Sequence, residues 1–146
     1  MASHPTEDLL QLVRMLLVEN AGVSAIVEDR VTGPFSDRTG EVEGEDLYPR
    51  VVVDIVGGGG AYGFGGLQSP VIHVYAYSRT SQGDAHHLYD AIRPVLRRAR
   101  LARDGIAVRG SIQESDSPVT GYNPQTNAWF TRGTYRAMAT ALPASA

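Results

Sequence analysis

Residues 71–103 read VIHVYAYSRTSQGDAHHLYDAIRPVLRRARLAR, and a change of period within them decides the fold. Over Val71–Ser78, Ile72, Val74 and Ala76 alternate with His73, Tyr75 and Tyr77. That is the period of two expected of a strand with one buried face. Beyond Ser81 the period lengthens. Leu88, Ile92, Val95, Leu96 and Ala99 recur at helical spacing and predict a helix over Gln82–Arg103, ended by Gly105. Ser81 and Asp84 form a capping pair at its start. Pro94 lies inside this span and predicts a kink or local break, costing about 3 kcal/mol unless packing compensates.

Working outward, Arg50–Val56 is a second strand, with Val51, Val53 and Ile55 on one face and Val52, Asp54 and Val56 on the other. The glycine-rich stretch Gly57–Gly66 connects it to Val71–Ser78, and the two strands are expected to pair. At the N-terminal side, Thr6 is placed to cap a helix whose stripe is Leu9, Leu10, Leu12, Val13, Leu16 and Leu17. Asn20 and Gly22 read as its stop, and Val23–Val31 as a turn with a brief strand that buries Ala25, Ile26 and Val27. Towards the C-terminus, Ile106–Gln113 and Asn127–Thr140 alternate as strands, joined by Ser115–Thr126 with its turn formers Pro118, Gly121, Asn123 and Pro124. The order predicts an α+β fold: a mostly antiparallel sheet of four to five strands with two main helices on one face. One domain over residues 1–146 is expected, with long loops at 33–49, 57–66 and 115–126. There is no internal repeat.

Composition narrows the function. The chain has 146 residues, 42% hydrophobic and 20% charged, the balance of a single globular domain. It has no cysteine, which excludes disulfides, thiolate metal sites and a cysteine nucleophile. A net charge of -3 lacks the basic excess of proteins that grip nucleic-acid phosphates. The opening MASHPTEDLL has no basic stretch ahead of an apolar run, so no secretory leader is expected. No apolar run approaches the roughly 20 residues of a membrane span, and no membrane association is expected. All 13 basic residues are arginine, which fits a GC-rich coding sequence and host.

Each chemical motif fails on context. Gly58, Gly60 and Gly63 match the dinucleotide-loop spacing, but a strand follows where that motif needs a helix N-terminus. His86, His87 and Asp90 lie on one predicted helix and His86 and Asp90 share a face, but no HExxH motif or distant His–Asp cluster supplies a third metal ligand, and His4 and His73 are the only other histidines. No serine lies in a nucleophile-elbow motif. His73, Tyr75, Tyr77 and Asp54 are expected to share one sheet face, which suits a protein interface better than a ligand pocket because convergent polar groups are few. Trp129 reads as a core or interface anchor. No catalytic residue, metal or cofactor is expected.

Two charge patches remain. Arg93, Arg97 and Arg100 follow i, i+4, i+7 on the predicted helix, among Arg98 and Arg103. The plain reading is arginine at the negative end of a helix, worth about 0.3–1 kcal/mol each. The alternative is a dock for an acidic surface, and the loop bearing Asp37, Glu41, Glu43, Glu45 and Asp46 is its complement, on a neighbouring copy. Opposed patches of this kind suit a head-to-tail contact that closes into a ring.

The layout resembles the tail-terminator and tail-completion proteins of long-tailed bacteriophages. The resemblance runs from about Asp8 to Thr140 and rests on order and spacing: a leading helix and short strand, LLQLVRMLLVENAGVSAIVEDRV; then YPRVVVDIV; then VIHVYAYS followed by DAHHLYDAIRPVL; and a closing strand, FTRGTYRAMAT. It implies a virion protein, made in the host cytoplasm, that forms a homo-oligomeric ring, commonly hexameric, at the head-proximal end of the tail. Its partners would be the tail tube protein and a head-completion or connector protein, with DNA passing through the lumen unbound. It implies no cofactor and no enzymatic activity. On that reading Tyr62 and Phe64 in the glycine loop, Tyr122 and Asn123 in the last loop, and the two charge patches are contact candidates. Two alternatives stay open: a head-completion stopper or connector ring, and, in a different class, a small ligand-binding domain or enzyme using the tyrosine-rich face.

Overall fold

A computed structural model describes residues 5–33, 48–56, 67–68, 70–103 and 108–141. Helix α1 (Pro5–Glu19) buries Leu9, Leu12, Val13 and Leu17 along one stripe. It begins at Pro5, ahead of the expected cap Thr6; proline suits a first helical position because its missing N–H has no helical partner there. The expected stop at Asn20 holds, since α1 ends at Glu19, but Asn20 is also a restart. Its side chain accepts the Val23 N–H at 3.1 Å and caps a second helix, α2 (Ala21–Val27), bent 89° from α1. Val23 and Val27 face the core, whereas Ala25, expected to be buried, is exposed. Only Val31–Thr32 (β1) is strand here.

The sheet continues with β2 (Arg50–Val56), β3 (Leu67–Gln68) and β4 (Val71–Ser78). After α3 (Gln82–Leu96) come β5 (Arg98–Leu101), β6 (Val108–Asn123) and β7 (Ala128–Ala141). The strand order is β1-β2-β4-β7-β6-β5, with β3 also on β7; only the β1–β2 pair is parallel. The fold is α+β. It has one helix (α2) and two short strands (β3, β5) more than the sequence predicted. β3 and β4 meet β7 in the same register, separated at Pro70, which has no N–H to give but whose carbonyl accepts the Ala137 N–H at 3.0 Å.

Two further boundaries differ from expectation. α3 passes through Pro94, which is exposed, but stops at Leu96, so the predicted last turns are strand β5. The predicted loop 115–126 is largely strand, since β6 runs to Asn123 and only residues 124–127 turn. β6 absorbs this irregular sequence as two register shifts against β7, between Glu114 and Asp116 and between Asp116 and Val119.

All three helices pack on one face of the sheet, over Val51 and Val53 of β2, Ile72, Val74 and Ala76 of β4, and Tyr135 and Ala137 of β7. The opposite face carries Val52, Tyr75, Tyr77 and Phe130. Among the described residues no single helix is long and apolar enough to cross a membrane.

Candidate interface surfaces

A buried polar chain fixes α3 to the long β6–β7 hairpin. The Tyr89 and Tyr135 hydroxyls lie 2.7 Å apart, and Tyr89 donates to Glu114 Oε2 at 3.3 Å. Arg93 donates to Glu114 Oε1 from Nη2 at 2.9 Å and from Nε at 3.1 Å. Burial pushes the Tyr89 hydroxyl up to about 12. Burial, with the hydrogen bond to Tyr89, also raises Tyr135 well above the ordinary tyrosine range. Both phenols stay protonated, so the chain is a structural clamp. It makes room by having no side chain at Gly133, where a Cβ would overlap the Tyr89 hydroxyl.

This arrangement revises the arginine stripe. Arg93 and Arg97 point to β6, with Arg97 Nε 3.9 Å from Glu114. Arg100 is not on the helix at all. It projects from β5, where Arg98 and Arg100 are exposed and Ala99 and Leu101 are buried. By register Arg98 pairs Gln113 and Arg100 pairs Ser111, which puts both arginines on the helix-free face. Beside them lies a shallow groove of about 450 Å³, lined by Arg100, Arg109, Ser111 and Met138 among others.

The tyrosine-rich face forms as expected, and its packing shows what it does. Tyr75 stacks on Tyr77 at 5.7 Å, Phe130 meets Tyr75 edge-on at 5.7 Å, and Tyr48 meets Tyr77 edge-on at 6.1 Å. Arg79 lies 4.2 Å from the Tyr48 ring centroid and donates Nε and Nη2 to the Thr126 carbonyl. Tyr48 and Tyr77 are buried, so the rings form a second small core rather than the walls of a pocket. His73 sits edge-on to Tyr75 and opposite Asp54; burial, then Arg132, lowers its pKa.

At the hairpin end, Tyr122 and Asn123 lie on β6 rather than in a loop. Tyr122 is 43% exposed, packs edge-on to Trp129 at 4.9 Å and donates to Asn127. Asn123 closes the turn by accepting the Gln125 N–H at 2.9 Å. Asp37, Glu41, Glu43, Glu45, Asp46, Tyr62 and Phe64 lie outside the described residues, as do the Gly58–Gly63 pattern and His4. His87 and Asp90 are exposed; the His86 ring nitrogen meets Thr120 Oγ1 at 3.1 Å. Among the described residues no group of three or more His, Asp or Glu side chains is placed to hold a metal. The sequence reading missed Glu114, Tyr89, Tyr135 and Arg79, whose partners lie far along the chain.

No protein-family model and no curated protein matches the sequence. Solved structures do match. One is a chain of the virion of a native gene transfer agent particle, with a TM-score of 0.70 over 96% of this chain and all (100%) of that one. The two share 14% sequence identity, so the likeness is one of fold.

Proposed function

We propose that this chain is a structural protein of a phage or phage-derived virion that forms a ring at the head-proximal end of the tail. There it stops tube growth and joins tail to head. The observation that carries this reading is the end-to-end fold likeness to a virion chain of a gene transfer agent particle. Three features support it. Arg98 and Arg100 are exposed on β5, and the polar chain through Tyr89 and Glu114 is locked rather than poised for catalysis. The aromatic face, the best enzyme-like feature in the sequence, is filled by its own rings. On this account the chain assembles with copies of itself, commonly six, and meets the tail tube on one side and a head-completion or connector protein on the other. DNA passes the lumen unbound, and no cofactor takes part.

The test is to add the purified chain to isolated tail tubes and image them by negative stain. A ring at one tube end is expected, and tubes then fail to elongate when more tube protein is added. Rings that bind portal or connector complexes but never tube ends would place the chain on the head side, as a stopper.

A further inference from the structure

One corner of the helix-free face gathers arginines around an exposed methionine. We propose that it docks an acidic segment of another protein, one that also carries an apolar anchor side chain. The strand register lays the corner out. One row across the sheet reads Arg98, Gln113, Arg136 and Val71, and the next reads Arg100, Ser111 and Met138. Arg109 lies two residues from Ser111 along β6. At about 3.3 Å per residue and about 4.8 Å between strands, Arg98 and Arg100 stand about 7 Å apart, and Arg100 and Arg109 about 8 Å. Arg136 is about 10 Å from Arg98 and about 7 Å from Met138. Among the described residues the register puts no carboxylate in either row; Asp54 and Asp116 fall in the row beyond Arg136, level with Thr134. Arg98 and Arg100 are exposed, and neither has a hydrogen-bond or ion-pair partner among the described residues.

The apolar element is equally definite. Met138 is 45% exposed, although Ala137 beside it on β7 is wholly buried. Ser111, a small side chain, separates it from Arg100 in their row, which leaves the shallow groove between them. Methionine and arginine are both enriched where proteins bury surface against a partner. The unbranched thioether adapts to the side chain that lies on it, and each guanidinium can hold a carboxylate through two parallel N–H groups. An extended segment repeats its side chains on one face every two residues, so acids at i and i+2 match the interval from Arg98 to Arg100. Arg100 to Met138 is about 10 Å, the span of three extended residues, so acid and anchor fit in one short segment.

Charge balance favours a protein partner over nucleic acid. The 13 arginines against 16 acids give the chain -3; without Arg98, Arg100, Arg109 and Arg136 the rest carries -7. A duplex is a long rod whose phosphates continue past a corner of this size, into that negative surround and within a Debye length of about 10 Å. A short acidic segment ends where the arginines end. Phosphates also offer nothing apolar to Met138.

The probe is a fluorescent peptide with one leucine between two runs of four glutamates, titrated into the full chain and read by anisotropy. Saturable binding that weakens as salt rises is expected. Arg98→Glu with Arg100→Glu should weaken it by about tenfold or more. Met138→Ser should cost about threefold for this peptide and nothing for a control with serine in place of the leucine. All three sites are exposed, so the variants should keep the parent's unfolding midpoint; Arg98→Ala with Arg100→Ala repeats the test without reversing charge. No binding, binding indifferent to both arginine substitutions, or equal affinity for the leucine and serine peptides would overturn the proposal. So would a short DNA duplex that binds more tightly than the peptide and is lost on the same reversal. Self-association that the reversal abolishes, with no peptide bound, would make the occupant a second copy and also overturn it. The assay needs neither tubes nor rings: a peptide that fails to bind leaves the ring reading standing, and rings that fail to cap tubes leave this corner's partner standing.

Discussion

Gly133 of β7 sits directly beneath Tyr89 of α3: a Cβ at Gly133 would overlap the phenolic oxygen and come within 2.5 Å of Cζ. The backbone there must stay bare so that Tyr89 can reach Tyr135 and Glu114 across the sheet. A local contact thus sets how closely the helix lies on the long hairpin.

Gly133→Ala should therefore destabilise the fold by about 1–3 kcal/mol, the usual cost of overpacking a full core. Denaturant unfolding measures it. Pairing it with Tyr89→Leu, which removes the obstructing ring atoms, should recover part of the loss; a loss unchanged by Tyr89→Leu would mean that the obstruction lies elsewhere.

Tyr89→Phe removes the donor to Glu114 and a partner of Tyr135, and is expected to cost about 1–3 kcal/mol because buried groups are left unmatched. Glu114→Gln should cost a similar amount, since the carboxylate serves Tyr89 and Arg93 together.

The same clamp sets an alkaline limit. Tyr89 loses its proton near 12 when folded, against about 10 in an unfolded chain, so the folded state holds more protons between those values. Its contribution is complete below pH about 10 and is lost as pH rises towards 12. Unfolding midpoints measured from pH 8 to 12 should fall over that window, and less steeply in Tyr89→Phe.

Arg79→Lys should loosen the hairpin turn, because a lysine cannot give two parallel N–H groups to the Thr126 carbonyl while lying over Tyr48. Faster amide exchange at residues 125–127, with global stability lowered by no more than about 1 kcal/mol, is the expected signature.

Much of this fold was legible in the sequence, for definite reasons. The alternations of β2, β4 and β7 named the right faces because each strand has one side on the helices and one on a smaller aromatic cluster. The stripes of α1 and α3 were equally plain. What failed were segments whose residues serve two roles. Asparagine ends helices and also starts them, so Asn20 was rightly read as the stop of α1 while its second role, capping α2, was missed. Arg98–Leu101 fits a helix by propensity and a strand by alternation, and pairing with β6 decides for the strand. Pro118 and Gly121 read as a turn, yet bulges against β7 let the strand carry Pro118, and Gly121 admits the Phe130 ring, 2.6 Å from where a Cβ would be. The clamp had no local signature, since Glu114 and Tyr135 lie 25 and 46 residues from Tyr89. Of the contact candidates, the sequence gathered the arginines into one patch; the fold divides them between an internal clamp and an exposed sheet edge.

Tail length in particles made without this chain tests the central claim most directly. If the chain terminates the tube, electron micrographs should show headless tubes of variable, excessive length beside tailless filled heads, and supplying the chain should restore one uniform length. Tubes of normal, uniform length in its absence would contradict the account.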